Sequence, residues 1–168
     1  MDIAEAIKTA IQYEKRVVQV YEDAVRQSTD ETGKKIFGAL AKEEVEHVVY
    51  LNARLEEWKK TGRVTPAALN TVVPSRQRIE QGIKSLEGQV AVKSPEAEMR
   101  LLKRALDVEI ETSAFYQKMV KELPEEGRKL FERFVEIEEG HQAIVQAEMN
   151  AVAGNGYWFD MAEISFEA

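Results

Sequence analysis

Apolar residues recur at three- and four-residue spacing through four long segments of the chain, the period of helices that bury one face. The first segment has Asp2 at the N-cap position and runs to about Arg26, with Ile3, Ala6, Ile7, Ala10, Val17, Val18, Tyr21, Ala24 and Val25 facing inward. Ser28, Thr29 and Asp30 offer caps for the second, which runs to about Lys60 before Gly62; its stripe is Ile36, Phe37, Leu40, Ala41, Val48, Leu51, Leu55 and Trp58. The third starts at Ser94 as N-cap, with Pro95 at the first helical position and Glu96 and Glu98 near the positive end of the dipole. Its stripe is Leu102, Ala105, Leu106, Tyr116, Met119, Val120 and Leu123. Pro124, Glu125 and Glu126 open the fourth in the same way, and Leu130, Phe131, Phe134, Val135, Ile144, Val145, Met149 and Val152 carry its stripe to a stop at Gly154. Two-residue alternation and β-branched clusters are scarce, so the predicted class is all-α.

Within the first and the last pair of segments the connections are only a few residues long, which predicts two antiparallel hairpins. The stretch from Thr61 to Lys93 is too long for an unstructured loop, and Ser75 to Gly88 has the pattern of a short helix with Ile79, Ile83 and Leu86 inward. The expected architecture is a four-helix bundle over residues 1–153, its hairpins joined by one long crossover. A short aromatic tail over residues 154–168 should follow, with exposed Tyr157, Trp158 and Phe159 available to cover an apolar patch on this chain or on a partner.

Composition narrows the chemistry. A chain of 168 residues, 44% hydrophobic and 32% charged, fits one globular domain with a real core. A formal charge of -7 disfavours nucleic acid as a partner. No apolar run approaches the roughly 18 residues of a membrane span, and Met1-Asp2-Ile3-Ala4-Glu5 is unlike a signal peptide, so no membrane partner is expected and the expected compartment is cytoplasmic. The absence of Cys excludes disulfides, thiol catalysis and cysteine-held metal, leaving oxygen and nitrogen as possible ligands.

Each apolar stripe is interrupted by residues that a plain core would not choose. Glu14 lies between Ala10 and Val18, and Glu109 between Ala105 and Tyr116. Glu44 and His47 lie between Leu40 and Leu51, and Glu138 and His141 between Phe134 and Val145. An i,i+3 pair sits about 60° apart around a helix, so each Glu-x-x-His can converge on one point. The halves repeat: Tyr21 and Tyr116 each follow a stripe Glu by seven residues, and the chain's only two His occupy equivalent places. One such residue alone is more often a cap or a surface group, but six in register point to a site. Four unpaired carboxylates facing one another would repel or take up protons, whereas two divalent ions balance them with two neutral imidazoles. By geometry Glu44 and Glu138 would bridge, Glu14 with His47 would complete one metal, and Glu109 with His141 the other. Tyr21 and Tyr116 either pack or hydrogen-bond a ligand carboxylate. Glu43, Glu46, Glu111, Glu136 and Glu139 lie off the stripes and are expected in solvent. Gly140 disfavours helix by about 1 kcal/mol relative to Ala; either it admits a neighbour or it tolerates close packing.

With Glu14, Glu44-Val45-Glu46-His47, Glu109 and Glu138-Glu139-Gly140-His141 in place, residues 1 to about 153 resemble the ferritin-like di-iron carboxylate superfamily, most closely rubrerythrin-type proteins. The tail Gly156-Tyr157-Trp158-Phe159-Asp160 is similar to the ending of several stand-alone rubrerythrin-like proteins. The resemblance implies a ferritin-like four-helix bundle. Two departures stand out: a chain without Cys has no rubredoxin-type iron module, and Thr112 stands where many rubrerythrins carry an extra Glu. The second brings the site closer to the six-ligand arrangement of bacterioferritin and puts in doubt the ligand exchange of rubrerythrin peroxidases.

Oxygen and imidazole donors suit Fe, Mn or Zn; the resemblance favours two Fe ions. It further implies reduction of hydrogen peroxide or oxygen to water, an external electron donor such as a rubredoxin or a flavin reductase, and a homodimer. Two other readings stay open. One is a ferroxidase or iron-handling protein, although the residues from Asn155 show no fifth periodic helix of the kind storage cages use, and the charge disfavours a DNA-protecting miniferritin. The other is a non-catalytic metal-binding bundle.

Overall fold

A computed structural model describes residues 1–83 and 90–159, with the side chains of Gly82 and Ile83 outside the description. The chain is all-α, save for one pair of two-residue strands among the described residues. Helix α1, Ile3–Gln27, starts in a capping box: Asp2 Oδ1 accepts from the Glu5 amide at 2.8 Å and Glu5 Oε2 accepts from the Asp2 amide at 2.9 Å. Helix α2, Glu31–Thr61, follows a three-residue connection. Of the three candidate caps before it, Asp30 is the one used, accepting from the Thr32 amide at 3.0 Å, and Gly62 ends the helix at φ 68°, a left-handed turn that suits glycine.

The crossover contains helix α3, Arg76–Ile83, with Ile79 buried; residues 84–88 of the predicted span, Leu86 among them, lie outside the described residues. Strand β1, Val90–Ala91, precedes helix α4, Pro95–Glu122, and helix α5, Glu125–Asn155, comes two residues later. Ser94 holds the cap position of α4 without a side-chain bond. The predicted stop at Gly154 is superseded: α5 continues to Asn155 and turns left-handed at Gly156, φ 71°. Strand β2, Tyr157–Trp158, pairs antiparallel with β1 in the register Val90 to Trp158 and Ala91 to Tyr157.

Of the two courses expected for the tail, a patch on this chain or one on a partner, the structure shows the first. Trp158 and Phe159 are buried in the core and only Tyr157 stays exposed, because the β1–β2 pairing folds the tail back on its own chain. Trp158 meets the Phe37 ring edge-on, with centroids 6.3 Å apart. Of the predicted stripes, Val18, Val25, Val48, Trp58, Leu106, Val120, Val135 and Met149 are only partly buried, and Ile11 and Val20 are buried instead.

Short connections and extensive packing make α1 with α2 and α4 with α5 the two hairpins, and α1 also packs on α4. The interior forms two apolar clusters. One holds Phe37, Leu40, Leu102, Ile144 and Trp158, the other Ile7, Leu51, Phe115, Phe131 and Phe134. Between them lies a polar layer. The crossover from Arg63 to Ser75 straps the outside of α2 and α5. Its Ala67 carbonyl accepts from the Tyr50 hydroxyl at 2.6 Å, its Thr65 carbonyl from Arg54 Nη1 at 2.8 Å, and its Leu69 carbonyl from Arg133 Nε at 3.0 Å. No helix among the described residues is long and apolar enough to cross a membrane.

Candidate metal centre

The polar layer is built from the residues that interrupt the stripes. Glu14 on α1, Glu44 and His47 on α2, Glu109 on α4, and Glu138 and His141 on α5 are all fully buried. Their donor atoms fall into two groups of four, each compact enough to surround one ion: Glu14, Glu44, His47 and Glu138 in one, Glu44, Glu109, Glu138 and His141 in the other. Glu44 and Glu138 belong to both.

Both imidazoles present Nδ1 to these carboxylates. His47 Nδ1 lies 3.1 Å from Glu44 Oε2, 3.6 Å from Glu14 Oε1 and 3.7 Å from Glu138 Oε1. His141 Nδ1 lies 2.5 Å from Glu44 Oε1, 3.3 Å from Glu109 Oε1 and 4.0 Å from Glu138 Oε2. The rings are nearly parallel, 5.7 Å apart. Phe134 stands edge-on to His47 at 5.5 Å and stacks on Tyr116 at 4.9 Å, giving the site an apolar wall.

The tyrosines tie the hairpins together. The Tyr21 hydroxyl on α1 donates to Glu109 Oε1 on α4 at 2.6 Å, and the Tyr116 hydroxyl on α4 donates to Glu14 Oε1 on α1. Each tyrosine thus orients the carboxylate of the opposite hairpin, and the oxygen it bonds is the one nearest an imidazole: Glu14 Oε1 lies 3.6 Å from His47 Nδ1 and Glu109 Oε1 3.3 Å from His141 Nδ1. Burial first, then the neighbouring carboxylates, pushes both phenols well above their ordinary range, so the hydroxyls stay protonated as donors.

The electrostatics of the metal-free layer are those of crowded acids. Burial and the charge of Glu44 push Glu14 well above the usual carboxylate range, and burial with the charge of Glu109 does the same to Glu138. Burial also works against ionisation of Glu44, but the two imidazoliums outweigh it and hold Glu44 well below that range. Burial opposes a charge on His47, yet Glu44 and Glu14 raise it to about 10; His141 is likewise pushed well up, chiefly by Glu44 and Glu109. Such a cluster either holds protons or holds cations.

Whether these residues fit metal ions is tested by their hydrogen bonds. Glu14 Oε2, Glu109 Oε2 and both Glu138 oxygens are buried and have no hydrogen-bond partner among the described residues. Buried polar atoms are normally satisfied, and these belong to residues whose donor atoms form two compact groups, oxygen-rich and imidazole-containing. They fit a pair of divalent transition-metal ions.

Glu43 was expected in solvent and is buried instead, because the crossover folds over it. Its Oε1 lies 3.0 Å from His141 Nε2 and also accepts from the Thr71 hydroxyl, while its Oε2 accepts from the Val72 amide at 3.2 Å. Burial disfavours its charge, but the His141 and Thr71 hydrogen bonds win and hold Glu43 below the usual range. It can therefore take the outer N–H of an imidazole whose inner nitrogen binds metal, an arrangement that fixes tautomer and ring direction. Its signal in the sequence was slight: a fifth acid, next to Glu44. The other off-stripe acids behave as expected, with Glu46, Glu111 and Glu136 exposed and Glu139 half-buried. Thr112 is buried and its hydroxyl donates to the Val108 carbonyl at 2.8 Å, turned along its own helix. Gly140 admits a neighbour: a Cβ there would stand 2.7 Å from the Pro74 carbonyl oxygen of the crossover.

Comparison with protein-family models, with curated proteins and with solved structures finds no match to this chain.

Proposed function

We propose that this chain is a ferritin-like di-iron carboxylate oxidoreductase of the rubrerythrin type, reducing hydrogen peroxide, or oxygen, to water with electrons from a separate donor. The observation that carries the reading is the convergence of four carboxylates and two imidazoles, fully buried, whose donor atoms fall into two groups each compact enough to surround one ion. Glu14, Glu44, His47 and Glu138 would hold one iron and Glu44, Glu109, Glu138 and His141 the other, with Glu44 and Glu138 common to both groups. When bound, two ferrous ions would supply the two electrons that reduction of peroxide to two waters needs, with two protons taken from solvent.

The chain's residues provide the setting. Tyr21 and Tyr116 fix Glu109 and Glu14 through hydroxyls that remain protonated, and Phe134 closes one wall against water. Glu43 anchors the outer edge of His141. The sequence carries no cysteine to relay electrons, so reduction of the iron would need a separate donor such as a rubredoxin or a flavin reductase.

The test is peroxide consumption by iron-loaded protein under anaerobic conditions with a reductant, followed beside the near-ultraviolet absorbance of oxidised iron. The wild type should oxidise its iron with one equivalent of peroxide faster than with oxygen, and Glu44→Ala, Glu138→Ala should do neither. Turnover by that variant at the wild-type rate would sink the reading. A preference for oxygen with continued iron uptake would move the chain to iron handling, and a loaded site with no redox change would leave a metal-binding bundle.

A further inference from the structure

The two imidazoles have a second face. His47 Nε2 and His141 Nε2 point away from the inner carboxylates toward Glu43 Oε1, at 4.0 Å and 3.0 Å, and these three atoms are close enough to hold one ion. His47 Nε2 is buried and has no hydrogen-bond partner among the described residues. Thr71, which donates to Glu43 Oε1, also lines a groove of about 390 Å³ between the crossover and α5. Glu80, Glu136 and Glu139 line the same groove, against Arg76 and Arg133, and Arg133 is tied to Glu136 at 2.9 Å.

We propose that Glu43 Oε1, His47 Nε2 and His141 Nε2 form a loading site for a divalent transition-metal ion, reached from the groove beside Thr71, from which the ion passes inward to the four carboxylates. This rests on the reading of the inner cluster as a metal centre. Two nitrogens and one carboxylate oxygen suit such an ion and leave coordination positions for the water it brings.

The imidazole explains why this position serves transit. An ion that binds a ring displaces one of its protons, and the ring then has one nitrogen on the metal and one N–H. An ion at the outer position uses Nε2, so the proton stands on Nδ1 and faces Glu44. An ion at the inner position uses Nδ1, so the proton stands on Nε2 and faces Glu43. Each inward step therefore shifts the proton of a ring from its inner to its outer nitrogen, with no change of net charge, and Glu43 turns from ligand into hydrogen-bond acceptor. Because both positions draw on the same rings, a neutral imidazole serves one at a time, and the resident number stays at two ions per chain.

Stopped-flow mixing of the metal-free full-length chain with cobalt(II), read by its visible ligand-field bands, tests this. The wild type should show a fast phase with its own spectrum before the final one, ending at two ions per chain. Glu43→Gln should slow uptake about tenfold or more while still ending at two. Glu136→Gln with Glu139→Gln, changes on exposed and half-exposed groove residues that leave the fold intact, should also slow uptake and reduce its dependence on salt. Wild-type uptake rates in both variants, or a Glu43→Gln chain that loads normally and only releases cobalt faster, would overturn the loading site while leaving the inner centre standing. A third cobalt retained per wild-type chain would contradict transit, and no cobalt binding by the wild type would remove the inner centre as well.

Discussion

A tyrosine that donates across the bundle to a buried carboxylate does work that a phenylalanine of the same shape cannot. Tyr116→Phe takes the donor from Glu14 Oε1, and Tyr21→Phe takes it from Glu109 Oε1. Each change should destabilise the protein by about 1–3 kcal/mol, the cost of leaving a buried acceptor short of its partner, measured by urea unfolding. Loss of less than a few tenths would mean that the rings only pack. The protonation of the layer gives a second prediction. In the metal-free chain Glu14, Glu138, His47 and His141 all have folded values above their ordinary ones, so over their range the folded state binds more protons and its stability falls as pH rises. For His47 the contribution is full below its ordinary 6.5 and is lost as pH climbs through about 10. Melting temperatures of metal-free protein across that window should fall, and zinc binding in weak buffer should release protons; a flat profile with no proton release would contradict both. The six ligand-type residues were legible because each interrupts an apolar stripe at helical spacing. Glu43 was not: it lies about 100° around α2 from Glu44, and its cover comes from Thr71 and Val72, nearly thirty residues on.

Among the elements, the crossover strap depends on one missing side chain. The Pro74 carbonyl oxygen occupies the space that a Cβ on residue 140 would need. In an open helix, Gly→Ala would stabilise by about 1 kcal/mol. Here Gly140→Ala should instead lower the urea midpoint and speed hydrogen exchange of the crossover amides from Thr71 to Val73, since the backbone oxygen has to retreat. A stabilised variant with unchanged exchange would show that the strap is loosely held. Helix starts were readable from Asp2, Asp30, Pro95 and Pro124, since caps and helix-starting prolines act locally. The predicted stop of α5 falls two residues early because Gly154 and Gly156 offer the same local signal, and only Gly156 takes the left-handed conformation. The path of the crossover is set by long-range bonds from Tyr50, Arg54 and Arg133, which leave no periodic trace in the sequence.

For the whole molecule, the polar layer divides the core into two apolar clusters, and the tail seals one of them. Trp158 has no exposed surface and packs on Phe37, so Trp158→Ala should cost about 3–5 kcal/mol in urea unfolding. A loss under 1 kcal/mol would mean that the tail merely rests on the surface. The aromatic run offered such a cover, on this chain or on a partner, but the pairing with Val90 and Ala91 that directs it was not legible, because no local pattern announces it. The all-α class and the layer of six were legible because both follow from the helical period. The central claim is that this layer holds two metal ions. Anaerobic titration of the metal-free chain with ferrous iron, followed by metal analysis of the desalted protein, tests it most directly. The wild type should retain two irons per chain, and Glu44→Ala, Glu138→Ala fewer than one. Wild-type protein that retains no iron, or a double variant that retains as much, would contradict it.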